Sequence, residues 1–420
     1  MQSFHLETGN LVNSEISKTF NPVLDQEMVG ATASKRIPAF LSNVQIIRGL
    51  AALAVVIYHT GTVFGVRTQF QAVPVFFVIS GFIMSYIAGE SSLEFAVNRV
   101  VRIVPLYWFA TILFLVLSNQ GFLNPVVSLA WWGHWIFSEP WRILVWLWQH
   151  RGLETVEAWK TLLCSLLFIP YPNVGGEFYP LLGVGWSINM EVFFYFLFAL
   201  ALAVNSKIAP FLVAVTLTVL IAVRTTYGFP FAALNFFTDI QGIFFVFGIL
   251  IFYLWRWTSF DWLRRHKRAL GIISVGGICA YVWLQLGLPD LFGERPAVPG
   301  YILPPALVLI ALLLEKAGLI LPWRPLIVLG NISYALYLAH PIFAEMVRAS
   351  AEQWKPLSAS SGYLAYPAVV VPSILVAMLL HYRLEVPTTR RLRRWCEDVR
   401  LSGAYRQARE PVNAGTDARL

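Results

Sequence analysis

The sequence predicts an all-α, polytopic integral membrane protein of about ten transmembrane helices, with both termini in the cytoplasm. Three observations carry this prediction. The chain has 420 residues, 57% of them hydrophobic and only 13% charged, with a mean hydropathy of +0.64; no soluble fold needs that much apolar surface. Its 31 Phe, 16 Trp and 16 Tyr suit a helical bundle with aromatic belts at the two interfaces. The formal net charge of +8 is spread one-sidedly between apolar segments, which reports cytoplasmic Lys/Arg rather than contact with nucleic acid.

Ten segments read as spans: 44–64, 73–89, 103–118, 186–204, 208–223, 236–255, 269–287, 301–321, 326–346 and 363–384. Segments 73–89 and 363–380 carry no charge at all. Segment 301–321 is the weakest, because Pro304 and Pro305 fall in its first turn. With the N-terminus inside, the cytoplasmic stretches hold Lys35 and Arg36, Arg99 and Arg102, and Lys207. They also hold the cluster Arg256, Arg264, Arg265, Lys267 and Arg268, then Lys316 and Arg324, and the tail RRLRR at 390–394. The external loops hold only isolated positives such as Arg67, Arg224 and Arg295. Residues 119–185 contain LAWWGHWIF and RILVWLWQH, Trp-rich and too short to span. They read as a long external excursion on the outer interface. Residues 1–43 and 386–420 read as polar and basic cytoplasmic tails flanking a transmembrane domain at 44–385. No signal peptide is expected, the first span itself directing insertion. Cys164, Cys279 and Cys396 have no CxxC spacing and suggest neither a disulfide framework nor a zinc site.

The chemistry is read from ionisable residues inside the apolar segments. Val44–Phe64 (VQIIRGLAALAVVIYHTGTVF) holds Arg48 and His59, eleven residues apart. At about 100° and about 1.5 Å per residue, both fall on one helix face, roughly 16 Å apart along the axis. Such groups cost about 2.5–3.5 kcal/mol on insertion scales, and they face a bundle interior or a wet cavity. Arg48 alone would suit an interfacial anchor, and a lone His a packing residue. Two on one face, one at the edge and one deep, point to a functional site. Glu191 lies about two turns into a helix starting near Gly185 (GWSINMEVFFYF). His340 lies about fourteen residues, or roughly 21 Å, into a helix starting near Leu326. His59, Glu191 and His340 are therefore expected at one level in the outer half of the bundle, with Arg48, Arg99 and Arg102 at the inner face.

Arg99 and Arg102, three apart in NRVVRIVP, are neighbours on one turn. They read either as positive-inside charge or as paired guanidinium groups suited to a nucleotide's phosphates. Glu191 reads either as a structural hydrogen-bond partner or as the carboxylate that orients an imidazole. Ser333, Tyr337 and His340 share one face of one helix, a pattern that also serves helix packing. His381 and Glu385, four apart, read as a local hydrogen-bonded cap.

These residues are where the chain resembles the membrane-bound acyltransferase 3 family. Arg48-x10-His59 is similar to that family's signature, PVFFVISGFIM at 74–84 to its second span, and NRVVRIVPLYW at 98–108 to its arginine motif. GVGWSINMEVFFY at 183–195 resembles its Trp-Ser-Leu-x-x-Glu block, with Ile188 in place of Leu. ISYALYLAHP at 332–341 resembles its Ser-Tyr-x-x-Tyr-Leu-x-His block. The likeness covers residues 43–387, and the wording RGLAA and FFVISGF is similar to the exopolysaccharide O-acetyltransferase branch. It implies ten core helices and transfer of an acyl group from cytoplasmic acyl-CoA to a hydroxyl on the far side. It also implies a catalytic role for His59, with Arg48, Arg99 and Arg102 in donor binding. No extracellular hydrolase-like domain is expected, which leaves the acceptor undefined.

The reading is thus a bacterial inner-membrane O-acyltransferase, most simply an acetyltransferase of an exported or surface polysaccharide or its lipid-linked precursor. His59 and Glu191 are its expected catalytic residues, and Arg48, Arg99 and Arg102 its acyl-CoA site. Trp186, Ser187, Ser333, Tyr337 and His340 line the acceptor side. Its partners are acyl-CoA, the glycan acceptor and membrane lipid, with no nucleic acid, no metal and no permanently bound cofactor. His59 could act as base or as transient acyl carrier. A transporter or flippase for a lipid-linked glycan is the rival, disfavoured by the lack of an internal repeat. A structural synthase subunit is a third reading.

Overall fold

A computed structural model describes residues 41–63, 72–89, 91–119, 141, 156–172, 178–286, 297–321, 323–353 and 362–409. The helices are α1 (Ser42–Val63), α2 (Val73–Tyr86), α3 (Ser92–Asn119), α4 (Val156–Leu166), α5 (Gly185–Val204), α6 (Ala209–Thr226) and α7 (Ala232–Phe237). They continue with α8 (Ile243–Trp257), α9 (Phe260–Arg265), α10 (Lys267–Leu286), α11 (Ala297–Lys316), α12 (Arg324–Asn331), α13 (Ser333–Gln353), α14 (Gly362–Leu380) and α15 (Val386–Arg409). Among the described residues there is no strand. The ten apolar segments read from the sequence lie largely on helix, with 236–255 interrupted at Thr238 and Asp239 before a 3-10 turn at Ile240–Gly242. Among the described residues six helical stretches are long and apolar enough to cross a bilayer, or seven if the bent pair α12–α13 is one span. The protein is a multi-pass membrane protein by that measure. The helix α2, at 14 residues, is apolar but short.

The start of α1, which sets the position of Arg48, is fixed by a neighbour. Glu315, in the last turn of α11, accepts from the backbone N–H groups of Ser42 (2.6 Å) and Asn43 (3.1 Å). A carboxylate there satisfies orphan donors and complements the helix dipole. The Asn43 side chain then binds Leu319 O (2.8 Å) and the N–H of Leu321 (3.1 Å). The next residue, Lys316, donates to the carbonyls of Trp255 and Thr258 at the end of α8, where a cation is favoured. The last turn of α11 thus ties together one helix start and one helix end.

Two contacts bring backbones close enough to require glycine. A Cβ on Gly81 of α2 would lie 2.2 Å from Phe245 O of α8, and one on Gly248 of α8 would lie 2.1 Å from Val78 O. Likewise a Cβ on Gly330 of α12 would lie 2.1 Å from Gln45 O of α1. In lipid, where tails are as apolar as side chains, such close approach supplies much of the packing. Around it the aromatics interleave: Phe77 stacks on Phe245 at 4.4 Å and Phe194 on Phe245 at 4.3 Å.

The structure departs from the sequence reading in three places. Helix α11 begins at Ala297, so Pro304 and Pro305 lie inside it rather than in its first turn; neighbouring helices make such interruptions tolerable in a bundle. The expected span 326–346 is broken at Ile332, where α12 and α13 meet at 74°. Gly330, pressed against α1, holds α12 in its own direction. His340 is therefore seven residues, or roughly 10 Å, into α13 rather than 21 Å along one straight rod. Third, the basic segment after the last span is helical: α14, a π-turn at His381–Glu385 and α15 run on as one helix, and α15 packs on α3.

The Trp-rich segments LAWWGHWIF and RILVWLWQH, and all but the last three residues of 1–43, lie outside the described residues. From the excursion, α4 packs on α3, where Trp108 Nε1 donates to Leu166 O (2.8 Å) and Phe168 stacks on Tyr107 (4.9 Å).

Candidate active site

Helix α1 carries the two groups singled out in the sequence, and α1 packs against α12, α13, α11, α14 and α2. Between Arg48 and His59 the helix presents Ala52, Val55 and Val56 to the core. Arg48 and His59 themselves are only partly buried.

At the histidine end, the rings of His59 and His340 meet with centroids 5.1 Å apart and planes tilted by 58°. Tyr58 meets His59 edge-on at 5.4 Å. His340 is fully buried, with Nδ1 3.3 Å from Leu336 O, one turn back on α13. Its Nε2 has no hydrogen-bond partner among the described residues. Tyr337, one turn earlier, lies 5.9 Å from His340 ring to ring. The Tyr337 hydroxyl donates to Val184 O (2.8 Å) and shares a hydrogen bond of 2.7 Å with Ser187 Oγ, which itself lies 3.2 Å from Val184 O. Trp186, beside Ser187 at the start of α5, packs edge-on against Phe77 at 6.3 Å. The sequence blocks around 183–195 and 332–341 thus converge on His59 through hydroxyl and ring contacts.

At the arginine end, Arg48 donates to Gln45 Oε1 (3.2 Å), three residues back on α1. Among the described residues it forms no ion pair. The charges acting on it most strongly are those of Arg102, then Glu191 and Glu385. Arg99 lies over the Phe95 ring at 5.8 Å and acts on Tyr195. Glu191 accepts from Ser80 Oγ (2.7 Å) and from the Tyr195 hydroxyl. Glu385 binds His381 Nδ1 at 2.9 Å across the π-turn, as the four-residue spacing suggested, and its charge also reaches Arg48 and Tyr334. Tyr334 donates to Ile103 O (2.8 Å), joining α13 to the arginine turn of α3. Ser333, fully buried beside it, has an Oγ with no partner among the described residues. Three guanidinium groups and two carboxylates therefore share one neighbourhood, which keeps a positive excess while limiting repulsion between Arg48 and Arg102.

The expected grouping holds for His59 with His340, and for Arg48 with Arg102. It changes for Glu191. Its hydrogen bonds run to Ser80 and Tyr195, and its charge acts on Arg48, so its described contacts belong to the arginine end rather than to the imidazoles. The reason is axial. Glu191 is four residues from Ser187, the α5 residue that meets Tyr337, so it lies a full turn further along α5 on the same side. Sequence reasoning missed Ser80, Tyr195, Gln45 and Tyr334, which are ordinary polar or aromatic residues until a partner is seen. Among the described residues no group of three or more His, Cys, Asp or Glu is arranged to hold a metal ion.

Comparison with known proteins places this arrangement. The chain is 32% identical over 326 residues to the exopolysaccharide production protein ExoZ of Rhizobium meliloti (strain 1021), covering 76% of this chain and 89% of that protein. It is 28% identical over 162 residues to protein 2 in the picA locus of Rhizobium radiobacter, covering 35% of this chain and 74% of that protein. No solved structure matches. The family model described as "Acyltransferase domain" matches residues 41–382, the whole bundle from the start of α1 to the π-turn, and the chain belongs to that acyltransferase 3 family.

Proposed function

We propose that the protein transfers an acyl group, in its simplest form acetyl, from cytoplasmic acyl-CoA to a hydroxyl of an exopolysaccharide or its lipid-linked precursor at the bacterial inner membrane. The observation that carries this is the composition of α1. One end sets a partly buried guanidinium in a positive cluster, and the other sets an imidazole against a second imidazole. Likeness to ExoZ supplies the polysaccharide. Arg99, Arg102 and Arg48 bind the donor's phosphates, for which a fork of N–H donors is suited. The pantetheine arm runs along α1 and brings the thioester to His59. There His59 either deprotonates the acceptor hydroxyl or takes up the acyl group before passing it on. Glu191, bound by Ser80 and Tyr195, balances the charge of Arg48 and fixes α5 against α2. Trp186, Ser187, Ser333, Tyr337 and His340 shape the acceptor side.

The test is acyl transfer from radiolabelled acetyl-CoA to glycan in vesicles containing the full chain. His59→Ala is expected to abolish label in the glycan at unchanged protein abundance; persistent labelling refutes the assignment. The 74° break between α12 and α13 is a feature that a glycan flippase would share. In that case glycan crosses the vesicle membrane and no label enters it.

A further inference from the structure

His340 holds a buried lone pair with nothing to receive. Its Nδ1 lies against the Leu336 carbonyl, a group that can only accept, so Nδ1 carries the ring proton and Nε2 is bare. Nε2 is fully buried and makes no hydrogen bond among the described residues. A buried acceptor left unpaired costs stability in this state, and such a group calls for an explanation, a bond made in another state being one. The ring in contact with it is His59, at 5.1 Å between centroids. The carboxylate expected to orient His59, Glu191, is held by Ser80 and Tyr195.

We propose that His340 is the positioning residue of His59: in the working state its Nε2 accepts the N–H of His59. This bond fixes which His59 nitrogen is bare and supports the positive charge that forms on that ring. The inference rests on the reading of His59 as the reactive imidazole. The acceptor hydroxyl's proton moves to the bare nitrogen of His59 as the oxygen forms the new C–O bond and the thioester C–S bond breaks. The sulfur leaves with the electron pair and takes that proton from His59, so the thiol is released and both rings return to their neutral forms. His340 exchanges no proton at any step; it acts as the acid partner does in a serine-protease triad, with a neutral lone pair in place of a carboxylate.

The experiment compares His340→Phe, which fills the space without an acceptor, with His340→Gln, whose amide can both donate to Leu336 O and accept from His59. In vesicles, His340→Phe is expected to lower kcat by about a hundredfold or more, the range for loss of an oriented base, with the donor KM unchanged. His340→Gln is expected to recover most of that loss. A second readout needs no substrate: the rate at which diethyl pyrocarbonate modifies His59 at fixed pH, followed by mass spectrometry, should fall severalfold in His340→Phe and recover in His340→Gln. If the acyltransfer reading is wrong, no variant labels glycan but this difference persists. Wild-type kcat in His340→Phe, equal losses in both variants, or unchanged His59 reactivity overturns the proposal. Should His340→Phe not accumulate, His340→Asn, polar but too short to reach His59, is expected to show the same losses, and its failure to do so counts equally against the idea.

Discussion

At the scale of the residue, Arg48 matters for what it leaves unused. Among the described residues it makes one side-chain hydrogen bond, to Gln45, although Glu191 and Glu385 stand near enough to act on it. A guanidinium closed into a bidentate ion pair would be finished structure; this one keeps donors for a ligand, and the two carboxylates offset the cost of holding it beside Arg102. A lysine in its place keeps the charge but not the planar fork. Arg48→Lys is therefore expected to raise the KM for acetyl-CoA about tenfold, worth about 1.4 kcal/mol, with kcat nearly unchanged. Steady-state kinetics in vesicles checks this, and an unaltered KM would reduce Arg48 to an interfacial anchor.

At the scale of the element, α2 and α8 approach so closely that only glycine fits between them. Gly81→Ala would force a methyl to within 2.2 Å of Phe245 O, whereas Gly89, one turn past the end of α2, has nothing within 4 Å. Overpacking of this kind costs about 1–3 kcal/mol. Gly81→Ala is expected to lower the amount of monodisperse protein in detergent and its melting temperature, and Gly89→Ala to change neither. These elements also show what could be read from the chain. The apolar runs were legible because lipid demands them, and Arg48 with His59 because a charge inside such a run is rarely idle. The bend at Ile332 was not, since it follows from Gly330 meeting Gln45 O, a contact between segments far apart in sequence. Nor was the side of the site on which Glu191 falls: the turn between Ser187 and Glu191 acquires meaning only once Tyr337 and Ser80 stand opposite them. The pair His381–Glu385 was legible as a bond and not as a neighbour of Arg48, because spacing reports contacts within a helix and is silent on what the helix faces.

At the scale of the whole molecule, the proposed transfer from acyl-CoA requires one direction of insertion, because that donor would be available on one side only. The basic cluster from Arg256 to Arg268 begins in the last turn of α8, and the positive-inside rule predicts it on the cytoplasmic side. The end of α6, at Tyr227, then faces outward; Tyr227 is 88% exposed and Trp257, at the far end of α8, is 77% exposed. Both sites can take a cysteine without disturbing the core, in a background where Cys164, Cys279 and Cys396 are replaced by serine. In spheroplasts, a membrane-impermeant maleimide is expected to label Tyr227→Cys at once and Trp257→Cys only after permeabilisation. The reverse pattern would put Arg48, Arg99 and Arg102 on the side that lacks the donor. Their positive cluster would then serve an external anion or the headgroups, and acyl transfer from cytoplasmic CoA along α1 would have no starting point. Labelling in the expected order leaves His59 about three helical turns from the donor side, past the midplane. A thioester on an extended arm can reach that depth, and a hydroxyl arriving from the outer face can meet it there.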